Sequence, residues 1–218
     1  MNKVVAIDGP AGSGKGTLAN IVSKECNLVN IDTGATYRCV ALKALRNNLS
    51  LEDKEEITKL SENIDIEFSL DGKVYLDGED VTDLIRSKEV TKFVSPVSSI
   101  VEVRSNMVEL QRKMASNQDV IMEGRDITTV VFPNAKYKFY LDATLEERAR
   151  RRFKQNVEKG IDMSYEDILE NIKARDYNDM HKEVGSLMRT EEQIYIDSTD
   201  MTIDEVANKV ISIIKGED

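Results

Sequence analysis

The sequence predicts an α/β fold with a parallel central sheet, and three observations carry that expectation. Short apolar runs rich in β-branched residues recur along the 218 residues, separated by helical patterns that open on capping residues. A glycine-rich turn joins the first of these runs to the first helical pattern. Such alternation reads as βαβ units, whose parallel strands are covered by helices on both faces. The third observation is a break in the rhythm, where strict apolar–polar alternation marks a small antiparallel insert.

Taken in order, Val4-Val5-Ala6-Ile7 lies between Lys3 and Asp8 and reads as a buried strand. The turn from Gly9 to Gly16 follows, and then Leu18, Ile21, Val22 and Cys26 share one helical face. Further buried strands are expected at Leu28–Ile31, Val120–Met122, Tyr137–Leu141 and Ile194–Ile196. Thr144-x-x-Glu147 and Thr202-x-x-Glu205 match the reciprocal capping box, and Ser164-x-x-Asp167 is a weaker version. Ile203, Val206, Val210 and Ile213 recur at helical spacing in the last helix. In the insert, Ile64, Ile66, Phe68 and Leu70 alternate with polar residues, and Asp71-Gly72 then gives a two-residue hairpin signal. Val74 and Leu76 resume the alternation, and Asp77-Gly78-Glu79 makes a second turn. A single domain over 1–218 is expected: a core over about 1–32, 86–147 and 183–218, an insert over about 62–85, and a basic segment over about 148–165. Pro10, Pro96 and Pro133 are the only prolines, so no Pro-rich hinge sets off a second domain.

Composition narrows the function classes. Thirty Lys+Arg against forty Asp+Glu give a net charge of −10, which disfavours a protein that coats nucleic-acid polymers. Two cysteines cannot build a disulfide scaffold. No apolar run approaches the ~20 residues that span a bilayer, and no signal-type segment precedes the first charges. A soluble, cytoplasmic protein without membrane contact is expected, and a monomer, because no heptad or exposed apolar stripe asks for a partner. His181 is the only histidine, which excludes His-based triads and multi-His metal sites. Cys26 reads as core, and Cys39 has no adjacent base.

The turn carries the chemistry. Gly9-Pro10-Ala11-Gly12-Ser13-Gly14-Lys15 fits G-x-x-x-x-G-K between a strand and a helix, the phosphate-binding P-loop. Its backbone N–H groups and the helix N-terminus cradle an anion, and Lys15 adds a mobile charge for the β/γ oxygens of ATP. Gly16 stands where the general motif has Ser or Thr, and Thr17 follows. The direct ligands of Mg²⁺ therefore stay unassigned, with the metal expected to be held through waters and ATP phosphates near Thr17.

The Gly-Thr after the lysine resembles the nucleoside monophosphate kinases. Three further segments resemble bacterial cytidylate kinases: Asp32-Thr33-Gly34-Ala35-Thr36-Tyr37-Arg38, Glu123-Gly124-Arg125-Asp126 continuing to Pro133, and Arg175-Asp176-x-x-Asp179. The resemblance runs from Val4 to about Asp197. It implies a three-layer P-loop kinase fold with a parallel central sheet, a small antiparallel insert in the monophosphate-binding lobe and a helical lid. It also implies acceptor-binding roles for Asp32 and Thr33, for Arg38 and Arg125 on the acceptor phosphate, for Ser95, Arg104 and Asp126 on the cytosine edge, and for Arg175 and Asp179 on sugar and phosphate. Independently, a dianionic phosphate calls for guanidinium forks, and Arg38 and Arg125 follow strands at the carboxyl edge where α/β sheets bind ligands. For Asp126, pairing with Arg125 or a helix end remains an alternative; for Arg104, a solvated helix face. Where the family continues with arginine, this sequence has Lys182, which keeps the charge but loses the fork.

Residues 148–159 hold six Lys/Arg against Glu158 alone, a local +5. A solvated helix face paired with Glu146 and Glu147 is one reading; a lid bringing Arg148, Arg151 and Arg152 to the transferring phosphoryl is the other. The expected activity is transfer of the ATP γ-phosphoryl to CMP or dCMP. Rivals are a kinase of AMP, UMP or shikimate, and a non-catalytic nucleotide-binding regulator.

Overall fold

A computed structural model describes residues 2–216. The main sheet has five strands: β1 (Val4–Asp8), β2 (Val29–Asp32), β6 (Val120–Gly124), β7 (Tyr137–Asp142) and β8 (Ile194–Asp197). Their order is β2-β6-β1-β7-β8. The remaining three form the second sheet, in the order β3 (Ile66–Phe68), β4 (Val74–Leu76) and β5 (Glu79–Asp80). Chain contacts divide the molecule into two compact units.

One unit comprises 4–27 and 123–216. Within it β1 pairs in parallel with β7, Ile7 opposite Phe139, and β7 with β8, Leu141 opposite Ile196. The apolar runs form these strands because both faces are covered: Val5, Ala6, Ile7 and Phe139 have no exposed surface. Ile194 is 37% exposed, as befits the first residue of the last strand in the sheet order. Helix α1 (Lys15–Cys26) packs on α8 (Ile203–Lys215), and α6 (Leu145–Glu158) on α7 (Tyr165–Met180). All three expected capping residues do their work. Thr144, Ser164 and Thr202 accept from the backbone N–H of Glu147, Asp167 and Glu205, and Thr202 completes the reciprocal box. The box expected at Thr144 stays half-made, because its N–H donates to the Thr199 hydroxyl and Glu147 pairs with Arg150 and Arg151. In α8 the fully buried positions are Val206, Ala207, Val210 and Ile214, with Ile213 half-buried beside them. Cys26, expected in the core, is the last residue of α1 and only half-buried. A turn of π-helix at Ile127–Val131, absent from the sequence expectation, follows β6.

The other unit comprises residues 2–3 and 28–122, with helices α2 (Thr33–Arg46), α3 (Lys54–Glu62), α4 (Lys88–Val97) and α5 (Val101–Ala115). Its core gathers Val40, Ile57, Ile66, Leu76, Ile85, Val97 and Met107 from these helices and the small sheet. The hairpins differ from the sequence expectation in an instructive way. Gly72 N–H donates to Ser69 and Ser69 N–H to Lys73, so β3 and β4 are joined by a three-residue loop, Leu70–Gly72, with Gly72 at φ 84°. Leu70 therefore sits on the loop, 72% exposed, and leaves the alternating apolar face. The two-residue turn is the second one: Leu76 faces Glu79, and Asp77 and Gly78 both have positive φ, 50° and 82°. That backbone twist matches the strands it joins.

Candidate active site

The phosphate loop is built between β1 and α1. Gly9 passes so close to β7 that a Cβ there would lie 2.1 Å from the Leu141 carbonyl oxygen, which no side-chain-bearing residue could occupy. Gly14, at φ 94°, turns the chain into α1. Lys15 is 4% exposed, and its ammonium donates to the Pro10 carbonyl at 2.8 Å and to Ser13 Oγ at 3.3 Å. Burial, and after it the Arg125 guanidinium, draws its pKa down to about 7. The lysine is folded back onto its own loop, where both of its partners are neutral.

Two carboxylates brace the surroundings. Asp8, with no exposed surface, accepts from the backbone N–H of Ile127 at 2.8 Å and of Thr128 at 2.9 Å, and from the Thr128 hydroxyl. Burial pushes its pKa up, against those three hydrogen bonds. It thereby fixes the segment immediately after Arg125 and Asp126. Asp179, on α7, pairs with Arg125 at 2.7 Å, Lys182 at 3.2 Å and Arg175 at 4.0 Å. Burial alone would raise its pKa; Arg125, Lys182 and Arg175 outweigh that and hold it below the usual carboxylate range. Arg125, Asp179, Lys182 and Arg175 thus form one cluster. Asp126 is buried, 6% exposed.

The basic segment separates into two kinds of arginine. Arg148 is buried: its Nε donates to the Ala143 carbonyl at 2.9 Å and its Nη1 to the Ala11 carbonyl at 2.8 Å and to Asp176. Arg151 reaches the Ser198 hydroxyl at 3.1 Å, the Ser198 carbonyl, and Glu147 at 2.8 Å. Arg150 and Arg152 face solvent, and Arg150 pairs with Glu147 at 2.7 Å. A uniformly solvated face therefore fails at Arg148 and Arg151, while Arg150, Arg152, Lys154 and Lys159 are exposed. Asp176, which accepts from the Ala11 N–H at 2.9 Å, is not among the site residues expected from the sequence. Its signal there is its place in the Arg175-Asp176-x-x-Asp179 segment, to which the sequence attaches no role for it.

In the other unit, Asp32 caps α2 by accepting from the Ala35 N–H at 3.2 Å, and Thr33, the first residue of that helix, is buried. Arg38 donates to the Ile85 carbonyl at 3.1 Å and the Thr91 hydroxyl at 3.0 Å. Arg104 is 6% exposed, donates to the Ser98 carbonyl at 3.2 Å and lies 5.4 Å from the Tyr37 ring centroid, so the solvated-face alternative does not describe it. Ser95 is exposed on the last turn of α4. Cys39 is fully buried, and burial pushes its thiol up to about 12, which removes it as a nucleophile. His181 ends α7, stacked on Tyr177 at 4.1 Å.

The oxygen donors near the loop suit a hard, largely hydrated cation. A Cβ at Gly16 would lie 3.2 Å from Glu123 Oε1, so a carboxylate stands close to where the usual P-loop hydroxyl would begin. Thr17 is exposed one position on. Among the described residues no group of three or more His, Cys, Asp or Glu could hold a metal.

Comparison with known proteins agrees with this arrangement. The cytidylate kinase family profile matches residues 5–216. A cytidylate kinase of Caldicellulosiruptor bescii is 48% identical over 217 residues, covering 98% of this chain and 96% of that protein. One from Caldanaerobacter subterraneus is 49% identical over 212 residues, covering 97% and 94%. Among solved structures, an uncharacterised protein from Eubacterium ventriosum aligns with TM-score 0.57 at 11% identity, covering 98% of this chain and 99% of that one. An unliganded sugar kinase from Janibacter aligns with TM-score 0.50 at 15% identity, covering 99% and 95%. At such identities the likeness is one of fold. The phosphate loop, the Glu123–Pro133 segment and a family match over nearly the whole chain agree: this protein belongs to the cytidylate kinase family.

Proposed function

We infer that the protein transfers the γ-phosphoryl of ATP to CMP or dCMP, giving ADP and CDP or dCDP. The observation that carries the chemistry is the buried Lys15 ammonium on a preformed phosphate loop, in the same unit as an Arg125 guanidinium oriented by Asp179. Phosphoryl transfer asks little covalent work of a protein; positioning and charge stabilisation supply the acceleration. The residues from Gly9 to Thr17 hold the triphosphate through backbone N–H groups. Lys15 exchanges its loop partners for β/γ oxygens and stabilises the charge that spreads over them in the transition state.

Arg125 aligns the acceptor phosphate, its orientation set by Asp179, with Arg38 as a second fork. Asp126, Arg104 and Ser95 read the cytosine edge, since an N4 donor beside N3 and O2 acceptors calls for a carboxylate and a donor together. Arg175, Asp179 and Lys182 serve sugar and phosphate, and Asp32 and Thr33 belong to the same acceptor set. Residues 148–165 act as the lid: Arg151, released from Ser198 and Glu147, and the exposed Arg152 are its candidates to meet the transferring phosphoryl, and Arg148 holds the loop itself. Mg²⁺ bound with ATP, near Glu123 and Thr17, supplies neutralisation of phosphate charge. A monomer in the cytoplasm suits these small-molecule substrates.

An acceptor panel with coupled detection of ADP tests this reading. CMP and dCMP should be turned over at least ~100-fold more efficiently than UMP, AMP or shikimate, because a site built to pair with polar edges rejects analogues that leave those groups unpaired. Preference for AMP over CMP would overturn it. Binding of ATP without turnover of any acceptor, and with no calorimetric binding of CMP, would favour the regulator.

A further inference from the structure

Ala11, the third residue of the phosphate loop, has both its main-chain polar groups taken by side chains of the two packed helices α6 and α7. Its N–H donates to Asp176 Oδ1 at 2.9 Å, and its carbonyl accepts from Arg148 Nη1 at 2.8 Å. The same Nη1 bonds Asp176 Oδ2, and Arg148 Nε is fixed by the Ala143 carbonyl at 2.9 Å. Around this knot the Ala11 side chain packs with Ala149, Ile168 and Ile172. Both charges are buried, so each depends on the other for satisfaction. The two peptide planes that flank Ala11 cannot rotate without leaving a buried N–H or carbonyl unpaired.

Asp176 also has a neighbour of consequence. Asp179 lies three residues on along α7 and grips Arg125 at 2.7 Å. One rigid helix therefore presents one carboxylate to the donor loop and the next to the guanidinium read above as an acceptor ligand. We propose that Asp176 is a positioning residue that presets the phosphate loop, and that α7 transmits acceptor occupancy to that loop through the Asp179–Asp176 pair. The second half of this statement rests on the reading of Arg125 and Asp179 as acceptor residues. When CMP engages Arg125 and Asp179, α7 loses freedom, Asp176 holds Ala11 more firmly, and the loop binds ATP better. A coupling carried this way must be reciprocal in the two affinities.

The test uses the full-length enzyme and its Asp176→Ala and Asp176→Asn variants. Calorimetry measures the affinity for a non-hydrolysable ATP analogue with and without CMP, and for CMP alone. Hydrogen exchange follows the Ala11 amide. In the wild type the Ala11 N–H should be protected without nucleotide, and CMP should tighten the ATP analogue several-fold. In Asp176→Ala the analogue should bind about tenfold more weakly, Ala11 should exchange at least tenfold faster, CMP alone should bind within twofold of wild type, and the CMP effect on the analogue should vanish. Asp176→Asn keeps one oxygen for the Ala11 N–H but turns an amide donor towards Arg148. It should fall between the two, and it carries the test if the alanine variant does not fold. A purely structural role would lower the melting temperature and weaken both ligands alike, which overturns the proposal. So would unchanged Ala11 exchange in the variants, or a wild type without coupling. An Arg125→Ala variant separates the underlying reading: if it binds CMP normally the acceptor assignment fails, while Ala11 exchange and analogue affinity still decide the role of Asp176.

Discussion

Lys15 shows how far one side chain can be read. The spacing in the sequence identified it as the phosphate-seeking lysine, yet nothing in that spacing says the ammonium would be buried and its pKa drawn down to about 7. The consequence has a definite sign. Between pH 7 and 10.5 the unfolded chain keeps this proton and the folded chain gives it up, so the group makes the fold more stable as pH rises through that window. Nucleotide binding runs the other way, because a polyphosphate stabilises the charged form. At pH 8, ATP binding should take up close to one proton per site, seen as a dependence of the calorimetric enthalpy on buffer ionisation enthalpy, and affinity should fall with rising pH. Lys15→Ala should remove that proton uptake and lower kcat by about 10²–10³-fold; a variant with near-normal turnover would remove the lysine from the mechanism.

At the scale of elements, local chemistry and packing share the work differently from place to place. Helix α8 is set by its own residues: the Thr202–Glu205 box at its start, Gly216 at its end, and a buried stripe of Val206, Val210 and Ile214. Thr202→Ala removes a cap far from the phosphate loop in sequence and should cost about 1 kcal/mol, or a melting shift of roughly 2–4 °C, with kcat unchanged. A loss of activity without loss of stability would mean that this terminus does more than start a helix. The small sheet obeys similar rules with one surprise. Two Asp-Gly pairs occur eleven residues after Ile66 or sooner, and both look alike in sequence, but only Asp77-Gly78 forms the two-residue turn. At Asp71-Gly72, Ser69 and Lys73 pair instead and push Leu70 out onto the loop. Which residues pair across a hairpin depends on the face that must be buried, and that face is chosen by the surrounding helices.

For the molecule as a whole, a net charge of −10 coexists with buried cations. Lys15, Arg104 and Arg148 are each less than 8% exposed, so the global sign says little about the local field. Binding of ATP to the folded chain alone should therefore stabilise it. At a hundred times its Kd, ATP should add about 2.7 kcal/mol, a rise of roughly 5–10 °C for a chain of this size. Scanning calorimetry with wild type and Lys15→Ala would check this, with most of the shift lost in the variant. An equal shift in both would place the stabilising nucleotide elsewhere than on the loop.

Much of the fold and part of the site were legible in the residues themselves. The strands at Val4, Val120 and Tyr137 announce themselves as β-branched runs, the caps at Thr144, Ser164 and Thr202 as short polar residues ahead of apolar stripes, and the phosphate loop as a fixed spacing of glycines ending in lysine. Each is a rule about neighbours in the chain, and neighbours are what a sequence displays. Tertiary structure alone decided that Asp8 would hold the segment after Arg125, that Arg148 would be spent on the loop carbonyl of Ala11, and that Asp176 would close the same knot from another helix. Those partners stand more than a hundred residues apart. A buried carboxylate takes whichever donors the packed backbone leaves unpaired, and only the folded chain determines which donors those are.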